Sequence, residues 1–289
     1  MNTKQTEIWT ILRLIQWGAD FFRKKGVDSP RLTMELLLAH VLKLTRFDLY
    51  MQFERPLAEP ELAALRGMVK RRAMREPLQY VLGEAHFYSR VFEVNPAVLI
   101  PRPETELLVE EALRRVQSLR CLDVGTGSGC IGITIALERP ETEVIAIDAS
   151  EAALDVARRN AERLGARNIA FHRIDFFDDE AVRTLGSFDL VISNPPYIPA
   201  SDIRTLQPEV RDHEPHLALT DGGDGLGFFR RFIDLSARLL RDESSLFLEI
   251  GYGQGGEVAG LFRRAGFEAD LLTDLDRVER ILWVQKGGR

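Results

Sequence analysis

Leu122-Asp123-Val124-Gly125-Thr126-Gly127-Ser128-Gly129-Cys130 is the stretch that decides the fold. An apolar run at 121–124 enters a turn with glycine at alternate positions, and the chain continues directly into a helical pattern over 130–137. Glycines at a strand-to-helix turn let the backbone approach a ligand closely. The helix that follows presents unpaired N–H groups and a partial positive charge. A second apolar run closes on Asp148, 23 residues beyond Gly125. A carboxylate there can accept hydrogen bonds from both hydroxyls of a ribose. The pair points to a nucleoside-containing cofactor. A dinucleotide fingerprint would read G-x-G-x-x-G, whereas here Gly129 stands at the fifth position and Cys130 at the sixth.

Outward from this turn, apolar runs at 121–124, 144–147, 169–172, 188–193 and 245–250 alternate with helical patterns of 11 to 16 residues. That alternation predicts a mostly parallel sheet covered on both faces. The last runs, 269–272 and 281–284, have no helix between them and are expected to pair antiparallel. The first 80 or so residues show only helical periodicity. Ile8, Ile11, Leu12, Ile15 and Ala19 recur on one face until Gly26, Ser29-Pro30 reads as a cap opening a helix over 32–44, and Glu59-Pro60 opens a third. That third helix carries Lys70, Arg71, Arg72 and Arg75, either a solvated face or a docking patch for a protein partner. Between the halves, 86–88 and 91–94 read as two strands turning at Ser89-Arg90. The expected organisation is a helical domain at 1–84, a hairpin linker at 85–100 and an α/β domain at 101–289.

With 289 residues, 45% hydrophobic and 28% charged, the composition is that of a soluble globular protein of about two domains. The net charge is −6, from 38 Lys+Arg against 44 Asp+Glu. It divides unevenly: residues 1–85 carry 14 Lys+Arg and 10 Asp+Glu, or +4, and the remainder 24 and 34, or −10. An α/β half at −10 would repel a phosphate backbone. Cys121 and Cys130 do not make a disulfide framework, which fits a reducing compartment. The polar opening and the lack of any apolar stretch of about 18 residues lead us to expect a cytoplasmic protein without a membrane segment. His213 and His216 are separated by Pro215, which breaks the helix that would bring their rings together, and no metal is expected.

Ser193-Asn194-Pro195-Pro196-Tyr197 ends the fourth core run, so it falls at the same edge of the sheet as the glycine turn. Consecutive prolines fix two φ angles and remove two N–H groups, leaving a rigid corner of acceptors. A planar NH₂ on an amide or a base attacks poorly because its lone pair is delocalised. Asn194 Oδ1 and the Pro195 carbonyl can each hold one of its hydrogens and free that pair, while Tyr197 can stack on the flat group. Phe176, just past the third run, can set a ring beside a base.

The turn resembles motif one of the S-adenosylmethionine-dependent methyltransferases with a Rossmann-like sheet. Over nearly its whole length the sequence resembles the bacterial release factor glutamine methyltransferase family, PrmC/HemK. The resemblance is carried by Phe87-Tyr88-Ser89, Phe92-Glu93-Val94, Leu99-Ile100-Pro101-Arg102-Pro103-Glu104-Thr105-Glu106, Asn194-Pro195-Pro196-Tyr197, Leu219-Thr220-Asp221-Gly222-Gly223-Asp224-Gly225-Leu226 and Leu248-Glu249-Ile250-Gly251. It implies a seven-stranded methyltransferase domain behind a small helical bundle and a hairpin. It also implies transfer of methyl to the side-chain nitrogen (N5) of the glutamine in the Gly-Gly-Gln loop of class 1 peptide chain release factors, by a monomer. Carried over by position, Gly125, Thr126, Gly127, Ser128, Gly129, Asp148, Phe176 and Asn194 would bind S-adenosylmethionine. Asn194, Pro195, Pro196 and Tyr197 would hold the glutamine, with Asn194 and Pro195 catalytic. Phe176 stands where some members have tryptophan. The segment 98–106 is expected to close over the site, shaped by Arg102 or Glu106. Three alternatives remain: a glutamine methyltransferase of a ribosomal protein, an enzyme acting on an exocyclic amine of nucleic acid such as adenine N6, and a nucleotide-binding regulator without catalysis.

Overall fold

The computed structural model describes residues 8–117 and 119–285; the polar opening at 1–7 lies outside them. The chain forms two compact units, Met1–Gly83 and Glu84–Arg289. The first holds α1 (Ile11–Lys24), α2 (Pro30–Leu42), α3 (Arg46–Met51), α4 (Glu59–Ala73) and α5 (Leu78–Leu82). Ile11, Leu14, Ile15 and Phe22 of α1 face inward onto Met34, Leu37 and Leu38 of α2 and Leu65 and Val69 of α4. Ile8 lies before the helix and is exposed. Ser29 does not act as the expected cap: it is left-handed (φ 46°) and its side chain bonds no helix N–H, so Pro30 alone opens α2. The basic run at the end of α4 is largely consumed within the unit. Arg71 pairs with Glu76 at 2.5 Å and donates to the Tyr80 and Val81 carbonyls, and Arg72 is buried with Nη1 on the Glu76 carbonyl. These guanidiniums cap the open carbonyls around α5, and Lys70 is left exposed.

The second unit opens with β1 (Glu84–Phe87) and β2 (Arg90–Glu93). They turn at Tyr88 and Ser89, one residue earlier than the sequence suggests, and both residues take positive φ (50° and 59°), as a two-residue hairpin of matching twist requires. The hairpin is built into this unit: Phe87 and Phe92 join a core with Leu108, Ile131 and Ile192, and Glu93 N donates to Asn160 Oδ1 at 2.7 Å.

After α6 (Pro103–Arg115) the chain alternates through β3 (Arg120–Val124), α7 (Cys130–Glu138), β4 (Glu143–Asp148), α8 (Glu151–Leu164), β5 (Ile169–Arg173), α9 (Asp179–Arg183) and β6 (Phe188–Ser193). It continues through α10 (Pro208–His213), α11 (Gly227–Leu239), β7 (Leu240–Glu249), α12 (Gly255–Arg264), β8 (Glu268–Thr273) and β9 (Glu279–Gln285). The sheet order is β5-β4-β3-β6-β7-β9-β8, parallel except where β9 inserts antiparallel between β7 and β8. Several crossing helices are shorter than the 11 to 16 residues expected, α9 having only five. Successive strand residues feed opposite faces: Cys121, Leu190 and Ile192 enter one core, Leu122 and Val191 the other. Strand order reverses between β3 and β6, so the crevice at their carboxyl ends lies between the glycine turn and Asn194. The Ser193 hydroxyl donates to the Val124 carbonyl at 2.7 Å and ties those ends together.

Candidate active site

A cavity of about 350 Å³ opens at this crevice, and Gly125, Gly127, Asp148, Phe176, Asn194 and Pro195 are among the residues that line it. Gly125 and Gly127 have φ of +72° and +55°, and a Cβ on either would project into open space, so the turn leaves a cradle that side chains would fill. Gly125 N and Thr126 N donate to the Ile147 carbonyl, holding the turn against β4. Asp148 takes Gly127 N on Oδ2 and Ser150 N on Oδ1, both at 2.9 Å, which aims its carboxyl along the rim. Burial pushes its pKa up, against these backbone N–H groups.

Thr126, Ser128 and Gly129 stand beneath the cavity and do not line it. The Thr126 hydroxyl donates to Asp123 Oδ2 at 2.6 Å, the Ser128 carbonyl accepts from Asn160 Nδ2, and Gly129 caps α7. Asp123 is fully buried, which pushes it up to about 7, and its Oδ1 has no hydrogen-bond partner among the described residues. Phe176 serves cavity and core together, 4.7 Å from the Phe232 ring and nearly parallel to Phe228.

Asn194 Nδ2 donates to Thr105 Oγ1 at 3.1 Å, and that hydroxyl donates to Glu249 Oε2 at 2.6 Å. The Tyr197 hydroxyl donates to Glu249 Oε1 at 3.1 Å. Asn194 therefore turns its nitrogen into the protein and leaves Oδ1 to the cavity. Pro195 and Pro196 line the cavity as well, whereas Tyr197 does not, its hydroxyl being drawn under the corner by Glu249. The carboxyl of Glu249 is buried at the end of β7; sequence reading reached it and Thr105 only as members of longer motifs. The signal for Glu249 was a lone charge inside the apolar run 245–250.

The corner is also braced from behind. Gln254 Nε2 donates to the Tyr197 carbonyl at 2.9 Å, and Asp221 gathers the N–H groups of Gly223, Gly225 and Gly227. Gly225 has φ +79°, and a methyl group there would press on the Tyr197 carbonyl oxygen, which is backbone and cannot yield cheaply. Gly225→Ala should lower stability by about 1–3 kcal/mol and reduce kcat by shifting the corner. Denaturant midpoints and turnover measured on one preparation check it; unchanged values for both would contradict it.

Ala97, Val98 and Leu99 line the cavity, so the segment before α6 does reach the site. Arg102 pairs with the buried Glu214 at 2.5 Å, and Glu214 also accepts from Ile100 N, fastening that segment to the one after α10. Glu106 instead accepts from Tyr88 N and holds the hairpin. Among the described residues no cluster of three or more His, Cys, Asp or Glu side chains could hold a metal ion, and no helix is long and apolar enough to cross a membrane.

Residues 13–83 match the PrmC N-terminal domain family, and residues 116–220 match a methyltransferase domain family. A release factor glutamine methyltransferase of Geobacter sulfurreducens is 44% identical over 99% of both chains. The chain belongs to the release factor glutamine methyltransferase family. A member from Chlorobaculum tepidum is 41% identical over 96% of this chain and 97% of its own. Among solved structures, a methyltransferase from Pyrococcus furiosus shares the fold with a TM-score of 0.51 at 18% identity, covering 68% of this chain and 89% of that one. The chain is thus an S-adenosylmethionine-dependent methyltransferase of this family with a Rossmann-like domain. The residues present fit that cofactor: the glycine cradle, the oriented carboxyl of Asp148 and the Phe176 ring offer a backbone approach, a ribose acceptor and an apolar wall.

Proposed function

We propose that this enzyme methylates the side-chain nitrogen (N5) of the glutamine in the Gly-Gly-Gln loop of class 1 peptide chain release factors. What carries the chemistry is the Asn194 amide, which leaves its carbonyl oxygen to a cavity it shares with the glycine turn. The names of the relatives support a release factor glutamine as the substrate. In this reading Gly125, Gly127, Asp148, Phe176 and Asn194 contact S-adenosylmethionine, while Thr126, Ser128 and Gly129 shape the turn beneath it. When bound, the cofactor supplies an electrophilic methyl group on a sulfonium, leaving S-adenosylhomocysteine.

Asn194 Oδ1 and the Pro195 carbonyl oxygen each accept one hydrogen of the glutamine NH₂. That pairing would draw the nitrogen out of conjugation and aim its lone pair at the methyl group; the nitrogen would gain the methyl as the sulfur–methyl bond breaks and would then shed one proton to water, giving the neutral N-methyl amide. Pro196 keeps the corner rigid, and Tyr197, packed on the core with its hydroxyl tethered to Glu249, supports the corner from beneath instead of stacking on the amide. Orientation and exclusion of water supply the acceleration, worth several kcal/mol when reacting atoms are held near contact. The helical first unit is assigned to docking the factor, and the enzyme to a cytoplasmic monomer that uses neither metal, membrane nor DNA. The −10 charge of residues 86–289 supports a protein over a nucleic-acid substrate.

Labelled methyl is the test. Offered a release factor, its Gln→Ala variant, ribosomal proteins and DNA in parallel, the enzyme should label only the first. Label on DNA, on a ribosomal protein or equally on the Gln→Ala factor would overturn the reading.

A further inference from the structure

Thr105 and Glu249 are not among the residues that line the cavity, yet they decide which way Asn194 points. The Thr105 hydroxyl has one hydrogen to give. An ionised Glu249 only accepts, so across 2.6 Å that hydrogen goes to Oε2. The Thr105 oxygen can then only accept from Asn194, whose sole side-chain donor is Nδ2 at 3.1 Å. The nitrogen end of an amide is assigned from such a network, and this one permits a single answer.

We propose that Thr105 and Glu249 are positioning residues for methyl transfer, the carboxylate acting through the Thr105 hydroxyl to keep the Asn194 carbonyl oxygen turned towards the substrate amide. The inference rests on the role given to Asn194 above. Protonating Glu249 inverts the network. A carboxyl O–H then donates to Thr105, the Thr105 hydrogen turns to Asn194, and the amide flips to receive it. The Asn194 NH₂ would face the substrate NH₂, donor against donor.

Burial pushes Glu249 up to about 7, against the pull of the Thr105 and Tyr197 hydroxyls. Glu104 of α6 adds to the rise and Arg280 of β9 opposes it. Cys130 of α7 stays a neutral thiol, pushed up to about 12 by burial, and Tyr197 stays a neutral donor because burial raises it too. Arg102 bears on Tyr197, where it opposes that rise. The working form is the carboxylate, so activity is present above about pH 7 and lost as pH falls through it. Asp123 also titrates at about 7, so an acid limb alone does not single out Glu249.

Thr105→Val separates the two, since it keeps the shape of the side chain and removes only the relay. Steady-state methylation of the release factor by wild type, Thr105→Val and Thr105→Ser from about pH 5.5 to about 9 is the experiment, with calorimetric binding of S-adenosylhomocysteine to each. Thr105→Val should lose about tenfold to a hundredfold in kcat, with KM for the factor and binding of S-adenosylhomocysteine within about twofold of wild type. Its remaining activity should lack the component of the acid limb that Glu249 contributes, and Thr105→Ser should restore both rate and limb. Equal kcat in Thr105→Val, an unchanged limb there, or failure of Thr105→Ser to restore either would overturn the relay. A wild-type enzyme that leaves the factor unlabelled would overturn the substrate reading and the relay with it.

Discussion

Asn194→Ala loses kcat by about a hundredfold to a thousandfold, the scale of removing one preorganised hydrogen-bond partner at a reacting centre. The reason lies in the nucleophile. An amide nitrogen shares its lone pair with the carbonyl, and two acceptors set on a rigid corner are what withdraw it. With Oδ1 gone, water takes its place, without a fixed position and at the expense of a dry site. The Thr105 hydroxyl also loses the donor it accepts from at 3.1 Å, but it still donates to Glu249, so the surrounding structure should persist. Pre-steady-state methyl transfer, measured beside the binding of S-adenosylhomocysteine, isolates the chemical step. An Asn194→Ala enzyme with unimpaired turnover would remove this corner from the mechanism.

Asp148→Ala should act on the cofactor side. A charge-assisted hydrogen bond is worth about 1.5–3 kcal/mol, so loss of the ribose acceptor should raise KM for S-adenosylmethionine by about tenfold to a hundredfold. The substitution also releases Gly127 N and Ser150 N, two donors that Asp148 now satisfies at 2.9 Å, and so loosens the turn itself. At saturating cofactor kcat should fall far less than in Asn194→Ala, because the acceptor corner is untouched. Titration of S-adenosylhomocysteine into the variant reads this directly, and wild-type affinity would contradict it.

Much of this was legible along the chain. The sheet announced itself because its central strands are buried on both faces and so read as unbroken apolar runs, and the glycine turn and Asn194-Pro195 each fall where such a run stops. Short or long-range features were not legible. At six and five residues α3 and α5 are too brief to show a period. The hairpin turns on Tyr88 and Ser89, which carry none of the Gly or Asn signal that positive φ usually leaves. Arg71 and Arg72 looked like a charged face because their acceptors, carbonyls around α5, have no sequence signature. Thr105 meets Asn194 across 89 residues, a contact that only the sheet order creates.

The central claim is that the Asn194 corner delivers methyl to a glutamine side-chain nitrogen. It is tested most directly by fragmenting the release factor after reaction with the purified enzyme and locating the added group. The account predicts one methyl, on the side-chain nitrogen of the Gly-Gly-Gln glutamine, formed about a hundredfold to a thousandfold more slowly when Asn194→Ala replaces the enzyme. Methyl on any other residue, or on that glutamine at the wild-type rate with Asn194→Ala, would contradict it.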